Sequence, residues 1–305
     1  MQKLLYFLSF FATLLLAPLL PGVINQVKAA FAGRRGPGFF RLYFDLAKLM
    51  RKSCPRSTTS TWLFDVAPAV SLAVTLVAAA LFPWPGACFW GQSPYVSAAL
   101  FFYLLGTGRF FTVLGALDTG SAFEGMGASR EVQFSALVEP VVFIALGFLV
   151  LLTGASGLGG MLGGFPAAEW TRHAVPLVLV AVAFFTILLS ETCRVPFDDP
   201  ETHLELTMIH EAMILDNSGP DLAFIHYGAA LKFELLAAFL VSIILPTLPG
   251  GAAARAGAVF AGVFAVAILT GVVESTIARF RFLKSPKFLL GSGLLALLSV
   301  ILYLV

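Results

Sequence analysis

Apolar stretches of about twenty residues recur along the whole of this 305-residue chain, and that repetition dictates its solvent. A hydrocarbon core of about 30 Å is crossed by about 20 apolar residues in a helix. Inside lipid a helix satisfies its own backbone groups, whereas exposed loops cannot. Only 12% of the residues are charged and the mean hydropathy is +0.92. A soluble domain carries about 25% charged residues. The chain therefore reads as an all-α integral membrane protein, a single polytopic domain over residues 1–305 with no soluble domain.

Eight spans are predicted, near residues 4–24, 63–82, 95–114, 134–152, 174–189, 227–245, 258–277 and 288–304. The first is too long and apolar for a signal-peptide core, and no A-x-A site follows it. Pro18 and Pro21 should kink or end it. Cys54, Cys88 and Cys193 are far apart without CxxC spacing, so neither a disulfide framework nor a cysteine-held metal or iron–sulfur site is expected.

The distribution of cations sets the orientation. Lys28, Arg34, Arg35, Arg41, Lys48, Arg51, Lys52 and Arg56 follow the first span, and Arg279, Arg281, Lys284 and Lys287 precede the last. Arg109, Arg130 and Arg194 fall in two further connections on the same side. The other side has only Lys3, Arg172 and Arg255. Residues 28–61, 115–133, 190–226 and 278–287 are thus assigned to the cytoplasm, with both termini on the opposite side of a prokaryotic cell (inner) membrane. In the first of these loops, GRRGPGFFRLYFDLAKLMRK alternates aromatic and aliphatic residues with cations. It reads as an amphipathic segment on the membrane surface, serving as a lipid anchor or as a docking face through Arg34, Arg35, Arg41, Arg279 and Arg281.

Residues 190–221 break the pattern. They hold Glu191, Asp198, Asp199, Glu201, Glu205, Glu211, Asp216 and Asp221 against one fixed cation, Arg194. Acids have little effect on topology, so their concentration calls for another cause, either a partner surface or a proton path. Asp199 and Pro200 suit an N-cap and a first helical position, and residues 202–215 read as a helix. On it Glu201 and Glu205 would share one face, and His203 and His210 another. Repulsion and burial would bring such carboxyls toward neutral titration; a solvated acidic helix is the plainer alternative. His210-Glu211 lacks the second histidine of HExxH, so a zincin site is absent, and the histidines read as relay members or satisfied core groups. Glu139, Lys232, Glu234 and Glu274 fall within or beside spans, where ionisable groups face a bundle interior or a water path. Lys232 and Glu234, two apart, should point to opposite sides of one helix.

These residues resemble a known family, the membrane subunit shared by respiratory complex I (its subunit 1) and the energy-converting group 4 NiFe hydrogenases. GRRGPG with DLAKL resembles its first cytoplasmic loop, Ala67-Pro68 its second-helix entry, and the Glu139 segment its fourth-helix glutamate. ETCRVPFDDPE followed by Ser218-Gly219 resembles its long signature E-x-x-R-x-P-F-D-x-P-E … S-G. The HLELTMIHEAMIL and ARFRF stretches resemble the formate hydrogenlyase branch; the complex I branch has a glutamate where Ala229 stands here.

The resemblance implies a non-catalytic anchor and coupling subunit. It would link electron transfer in a docked soluble arm to proton or sodium movement through antiporter-like neighbours. The arm would contain NiFe hydrogenase large and small subunits and an iron–sulfur protein. This chain would carry no cofactor of its own, and the departures in its acidic loop argue against quinone binding. By motif, Glu139, Glu191, Arg194, Asp198, Glu201 and Glu205 form the charged funnel. Asp199, His203, His210, Glu211, Lys232, Glu234 and Glu274 join the proposed path on chemistry. The alternatives are the quinone-site subunit of an NADH:quinone oxidoreductase, a stand-alone cation antiporter and a purely structural anchor. Nucleic acid is not an expected partner.

Overall fold

The computed structural model describes residues 2–84, 96–163, 166–198, 208–246, 251–280 and 284–304. These form thirteen helices and no strand: α1 (Gln2–Leu16), α2 (Leu19–Phe31), α3 (Arg41–Leu49), α4 (Trp62–Leu81), α5 (Ala98–Asp118), α6 (Ala122–Thr153), α7 (Leu158–Met161), α8 (Ala167–Arg172), α9 (Ala174–Glu191), α10 (His210–Met213), α11 (Gly219–Ile244), α12 (Gly251–Thr276) and α13 (Ser285–Leu304). Seven are long and apolar enough to cross a membrane, and the predicted eight are reached if the bent pair α1/α2 counts as one span.

The chain bends by 48° between α1 and α2, where Pro18 interrupts the ladder. Pro21 falls in the first turn of α2, where its missing N–H costs nothing. Two predicted boundaries move. α6 is 32 residues long and begins at Ala122 rather than near Phe134, which reduces the predicted 115–133 loop to a short turn. α11 begins at Gly219, not Tyr227, after Ser218 in extended backbone. Polar first turns concealed both starts from a hydropathy window.

α11 is the axis of the bundle. Apolar on nearly every side, it is the most buried of the spans and packs on α4, α9 and α12. α5 lies against α4 and α6, α13 fills the groove between α6 and α9, and α2 runs beside α12. Phe101, Phe102, Phe184 and Phe239 from α5, α9 and α11 form its aromatic centre, with ring centroids 5.0–6.2 Å apart between helices.

The four connections assigned to one side do meet at one end. The Thr61 backbone N–H and hydroxyl donate to Asp118 at 2.7 Å each, joining the start of α4 to the end of α5. Arg56 pairs with Asp221 at 2.5 Å, and Arg130 donates to the Met208 carbonyl at 2.9 Å. The Phe280 N–H donates to the Pro196 carbonyl. At the opposite end, Ser97 and Gly157 form an isolated bridge and Arg255 donates to the Leu162 carbonyl at 2.7 Å. α3, the amphipathic segment, has no buried residue of its own and lies near α2 and α11.

The acidic loop departs from expectation. A continuous helix over residues 202–215 does not form: Met208 and Ile209 are irregular, α10 is a single turn, and residues 214–216 form a turn. Residues 199–207 lie outside the described residues, and with them Asp199, Glu201, His203 and Glu205, so the proposed cap and shared faces do too. Asp198 fills the capping place, accepting from the N–H groups of Ile209 (3.2 Å) and His210 (3.1 Å). α10 presses on α6 at Gly127, where an added Cβ would lie 2.8 Å from the Ile209 carbonyl and 2.9 Å from Ala212 Cβ. Gly219 is constrained as well, with φ +54° and the Ser53 carbonyl 2.8 Å from a would-be Cβ. Gly127→Val is expected to displace α10 and to cost about 1–3 kcal/mol, read from denaturation of the purified protein in micelles.

Candidate functional site

At the centre of the bundle, a hydrogen-bonded chain of charges joins four helices. Arg109 of α5 donates through one guanidinium nitrogen to Glu191 at the end of α9, and through the other to Glu139 of α6 at 3.0 Å. Lys232 of α11 binds the second oxygen of Glu191 at 2.7 Å. Arg109, Glu191 and Lys232 are mostly shielded, whereas Glu139 emerges on the outer flank with its side chain 54% exposed. The forked guanidinium suits this bridging task, because two nitrogens serve two carboxylates at once. Ser135, one turn before Glu139, donates to the same carboxylate oxygen at 3.3 Å.

Two cavities meet at this chain. A cavity of about 80 Å³ is lined by Thr75, Glu131, Cys193, His210 and Lys232 together with Arg109 and Glu191. A smaller one of about 30 Å³ lies beside Tyr103, Phe143 and Glu139, again against Arg109 and Glu191. The Arg109–Glu191 pair thus forms the wall between them. One water needs roughly 10–15 Å³ of such space and two to four polar partners, so the larger cavity can hold several. Carboxylates, imidazole and water in that arrangement can pass protons by hydrogen-bond rearrangement.

A second ring of charges surrounds the first. Arg279 pairs with Asp198 at 2.5 Å, so this predicted docking cation is largely consumed inside the protein. Arg194 and Lys28 both approach Glu274, at 3.4 and 3.2 Å, and the Arg194 guanidinium lies 5.8 Å above the Phe233 ring. Of the predicted path, then, Glu139, Glu191 and Lys232 converge directly, and His210 lines their cavity. Asp198, Arg194 and Glu274 form neighbouring pairs. Glu211 is half-buried in the first turn of α10. Glu234 is turned away on the opposite side of α11. Among the docking cations, Arg34 and Arg35 are exposed, Arg41 is exposed and pairs with Asp45, and Arg281 lies outside the described residues.

Sequence reading undervalued three residues. Arg109 had counted only toward orientation, yet it is the hub. Glu124 and Glu131 fell in a supposed loop, but both are buried on α6, seven residues apart on one face. Glu124 accepts from the Asp216 N–H at 3.0 Å, and Glu131 faces Cys193 with 4.0 Å between oxygen and sulfur. The Ser121-x-x-Glu124 spacing, a capping-box pattern, signals that α6 starts early, although Ser121 makes no side-chain cap here.

His210 lies outside the spans, and burial lowers its pKa from 6.5 to about 4, with His226 and Lys232 adding to the effect. The cavity therefore presents a neutral imidazole near neutral pH. Between those two values the folded state binds fewer protons than the unfolded state. Its stability contribution is complete above about pH 6.5 and is lost as pH falls toward about 4. Thermal melts across that window should show a steeper acid loss for the native protein than for His210→Asn. Arg109→Met should cost roughly 3–5 kcal/mol, because it breaks the Arg109–Glu191 and Arg109–Glu139 pairs and leaves Lys232 to balance Glu191. Glu139→Gln, at the exposed end, should cost less than about 1 kcal/mol, and chemical denaturation in micelles separates the two.

Comparison with known proteins identifies the chain's relatives. Residues 3–305 match the family model described as NADH dehydrogenase. Hydrogenase-4 component C of Escherichia coli (strain K12) is 32% identical over 281 residues, covering 88% of this chain and 86% of that protein. Formate hydrogenlyase subunit 4 of the same organism is 29% identical over 299 residues, covering 93% and 94%. The membrane-bound sulfane sulfur reductase (MBS), an archaeal respiratory membrane complex, contains a chain that superposes with a TM-score of 0.83. At 18% identity, and with 98% of both chains covered, that likeness shows a shared fold. With nearly every residue matched and a multi-pass helical bundle in place, this chain belongs to the NADH dehydrogenase family of complex I subunit 1-like membrane proteins.

Proposed function

We propose that the chain is the membrane anchor and coupling subunit of a membrane-bound NiFe hydrogenase complex. In this reading it links electron transfer in a docked soluble arm to proton (or sodium) translocation. The observation that carries the reading is the Arg109 bridge, which ties a buried, cavity-lined carboxylate to Glu139 on the flank of the bundle. Near end-to-end similarity to hydrogenase-4 component C and formate hydrogenlyase subunit 4 supports the hydrogenase setting.

The basic end of the bundle faces the cytoplasm of a prokaryotic cell membrane in this assignment, and exposed Arg34, Arg35 and Arg41 offer the soluble arm a cationic rim. That arm comprises hydrogenase large and small subunits and an iron–sulfur protein, and holds the NiFe centre and the clusters. This chain holds no cofactor of its own. Protons enter by the acidic loop, where Asp198 caps the turn that presents His210 to the cavity. Water in the cavity joins His210, Glu131 and Glu191. Arg109 and Lys232 keep Glu191 ionised, so it orients the water chain, while Glu131, which makes no ion pair among the described residues, is the group that takes and releases the proton. Transfer past Arg109 delivers charge to Glu139, where an antiporter-like membrane neighbour meets the flank. The narrow cavity suits water better than a quinone head.

The test uses the intact complex. Glu131→Gln and Glu139→Gln should leave hydrogen evolution from an artificial donor unchanged and abolish the coupled ion gradient in proteoliposomes. Full pumping by both variants would reject the path. Copurification with NADH-oxidising subunits instead of a hydrogenase large subunit would reject the complex assignment. Ion flux by the chain alone in liposomes would point to an antiporter.

A further inference from the structure

Glu234 stands apart from the charges described above. It lies in the middle of α11, and its side chain is 0% exposed. Neither of its oxygens has a hydrogen-bond partner among the described residues, and it lines neither of the two cavities. Lys232 reaches Glu191 from the other side of α11, so the two neighbours serve separate environments.

What the side of Glu234 faces is the break in the first span. Tyr227 lies two turns before Glu234 on the same stripe of α11, and its hydroxyl donates to the Leu14 carbonyl at 2.9 Å. Tyr43 of α3 donates to the Leu15 carbonyl. These carbonyls end α1, where Pro18 supplies no N–H and the ladder is interrupted. Burial holds the Tyr43 phenol above its ordinary value, and Glu234 lies close enough to raise it further once ionised.

The charged groups on the surrounding helices are engaged with one another. Lys28 of α2 pairs with Glu274 of α12, Asp65 of α4 with Arg56, Asp45 of α3 with Arg41, and Glu191 of α9 with Arg109 and Lys232. Arg194, just past α9, approaches Glu274, and the Tyr6 hydroxyl of α1 donates to the Ala80 carbonyl. An ionised carboxylate without a counter-charge is far costlier in such a place than a neutral acid.

We propose that Glu234 is a proton-binding site: its carboxyl group holds a proton between α11 and the α1/α2 break, and losing that proton draws the Tyr43 and Tyr227 hydroxyls off the α1 carbonyls toward the new charge. The protonation state of α11 is thereby tied to the geometry of the broken span. The site is separate from the coupling path, and it stands whichever complex contains the chain.

Infrared spectroscopy of the purified full chain in lipid nanodiscs tests this, comparing the native protein with Glu234→Gln between about pH 6 and pH 8, above the ordinary carboxyl range. The expected result is the loss of one protonated-carboxyl C=O band in the variant, with the melting temperature unchanged. That native band should persist across the pH window and shift in frequency in Tyr227→Phe. Loss of an ionised-carboxylate band instead, or failure of the isosteric, uncharged Gln variant to fold, overturns the proposal. A native melting temperature that rises with sodium chloride but not with choline chloride, and does so only with Glu234 present, replaces the proton with a sodium ion and overturns it too. An unshifted band in both Tyr43→Phe and Tyr227→Phe refutes the coupling to the break.

Discussion

Everything in this bundle is arranged around the cost of holding ionised groups at membrane depth. Arg109, Glu191 and Lys232 come from three different helices, Lys232 lies 2.7 Å from Glu191, and with Glu139 of a fourth helix the charges balance. A charged side chain costs about 2.5–3.5 kcal/mol at the centre of an inserted helix even on the mildest scale. The two cations are tolerable because the carboxylates are present, and the carboxylates because the cations are. That mutual dependence sets the relative placement of α5, α9 and α11, and through Glu139 it reaches α6. Such a cluster is not an efficient way to gain stability, since well-packed apolar groups of the same volume often do as well. Its presence beside two cavities is what turns an expensive feature into a functional one.

The end of the bundle where the cations gather is built on a similar principle, with backbone groups as partners. Asp198 balances Arg279 with one oxygen and holds the Ile209 and His210 N–H groups with the other. Gly127 leaves α6 bare where α10 arrives, so the turn carrying His210 lies directly on the helix that carries Glu131. Glu191 and Asp198 of the signature are thus brought to one region with Glu131 and His210, although 11 to 12 residues separate Asp198 from its backbone partners along the chain.

Hydropathy, proline placement and cation asymmetry are local or additive properties, and they were readable directly. They set the eight spans, the break at Pro18 and the gathering of four connections at one end. The family signature pointed to Glu139, Glu191 and Asp198, and all three carry structural contacts. What went unread had one cause: a window average cannot separate a polar loop from the polar first turns of a long helix. The early starts of α6 and α11, and with them the roles of Glu124 and Glu131, were concealed in this way. The helix expected over residues 202–215 failed for a related reason. Apolar residues on several sides wanted burial, and burial came from docking a single turn under Asp198 rather than from extending a helix.

The sequence by itself determined a lipid-solvated helical bundle, because each span meets its own backbone requirements and needs only length and apolarity to do so. It also determined which residues are ionisable at membrane depth. Which of them face one another was decided only by the tertiary structure. Arg109 and Glu191 are 82 positions apart, and Lys28 and Glu274 come from opposite ends of the chain. Lys232 and Glu234, two positions apart, were sent to opposite faces of α11, one to a charged cavity and the other to a buried place beside a broken helix. Pairing of charges depends on distances across the bundle, and those are fixed by how the helices pack.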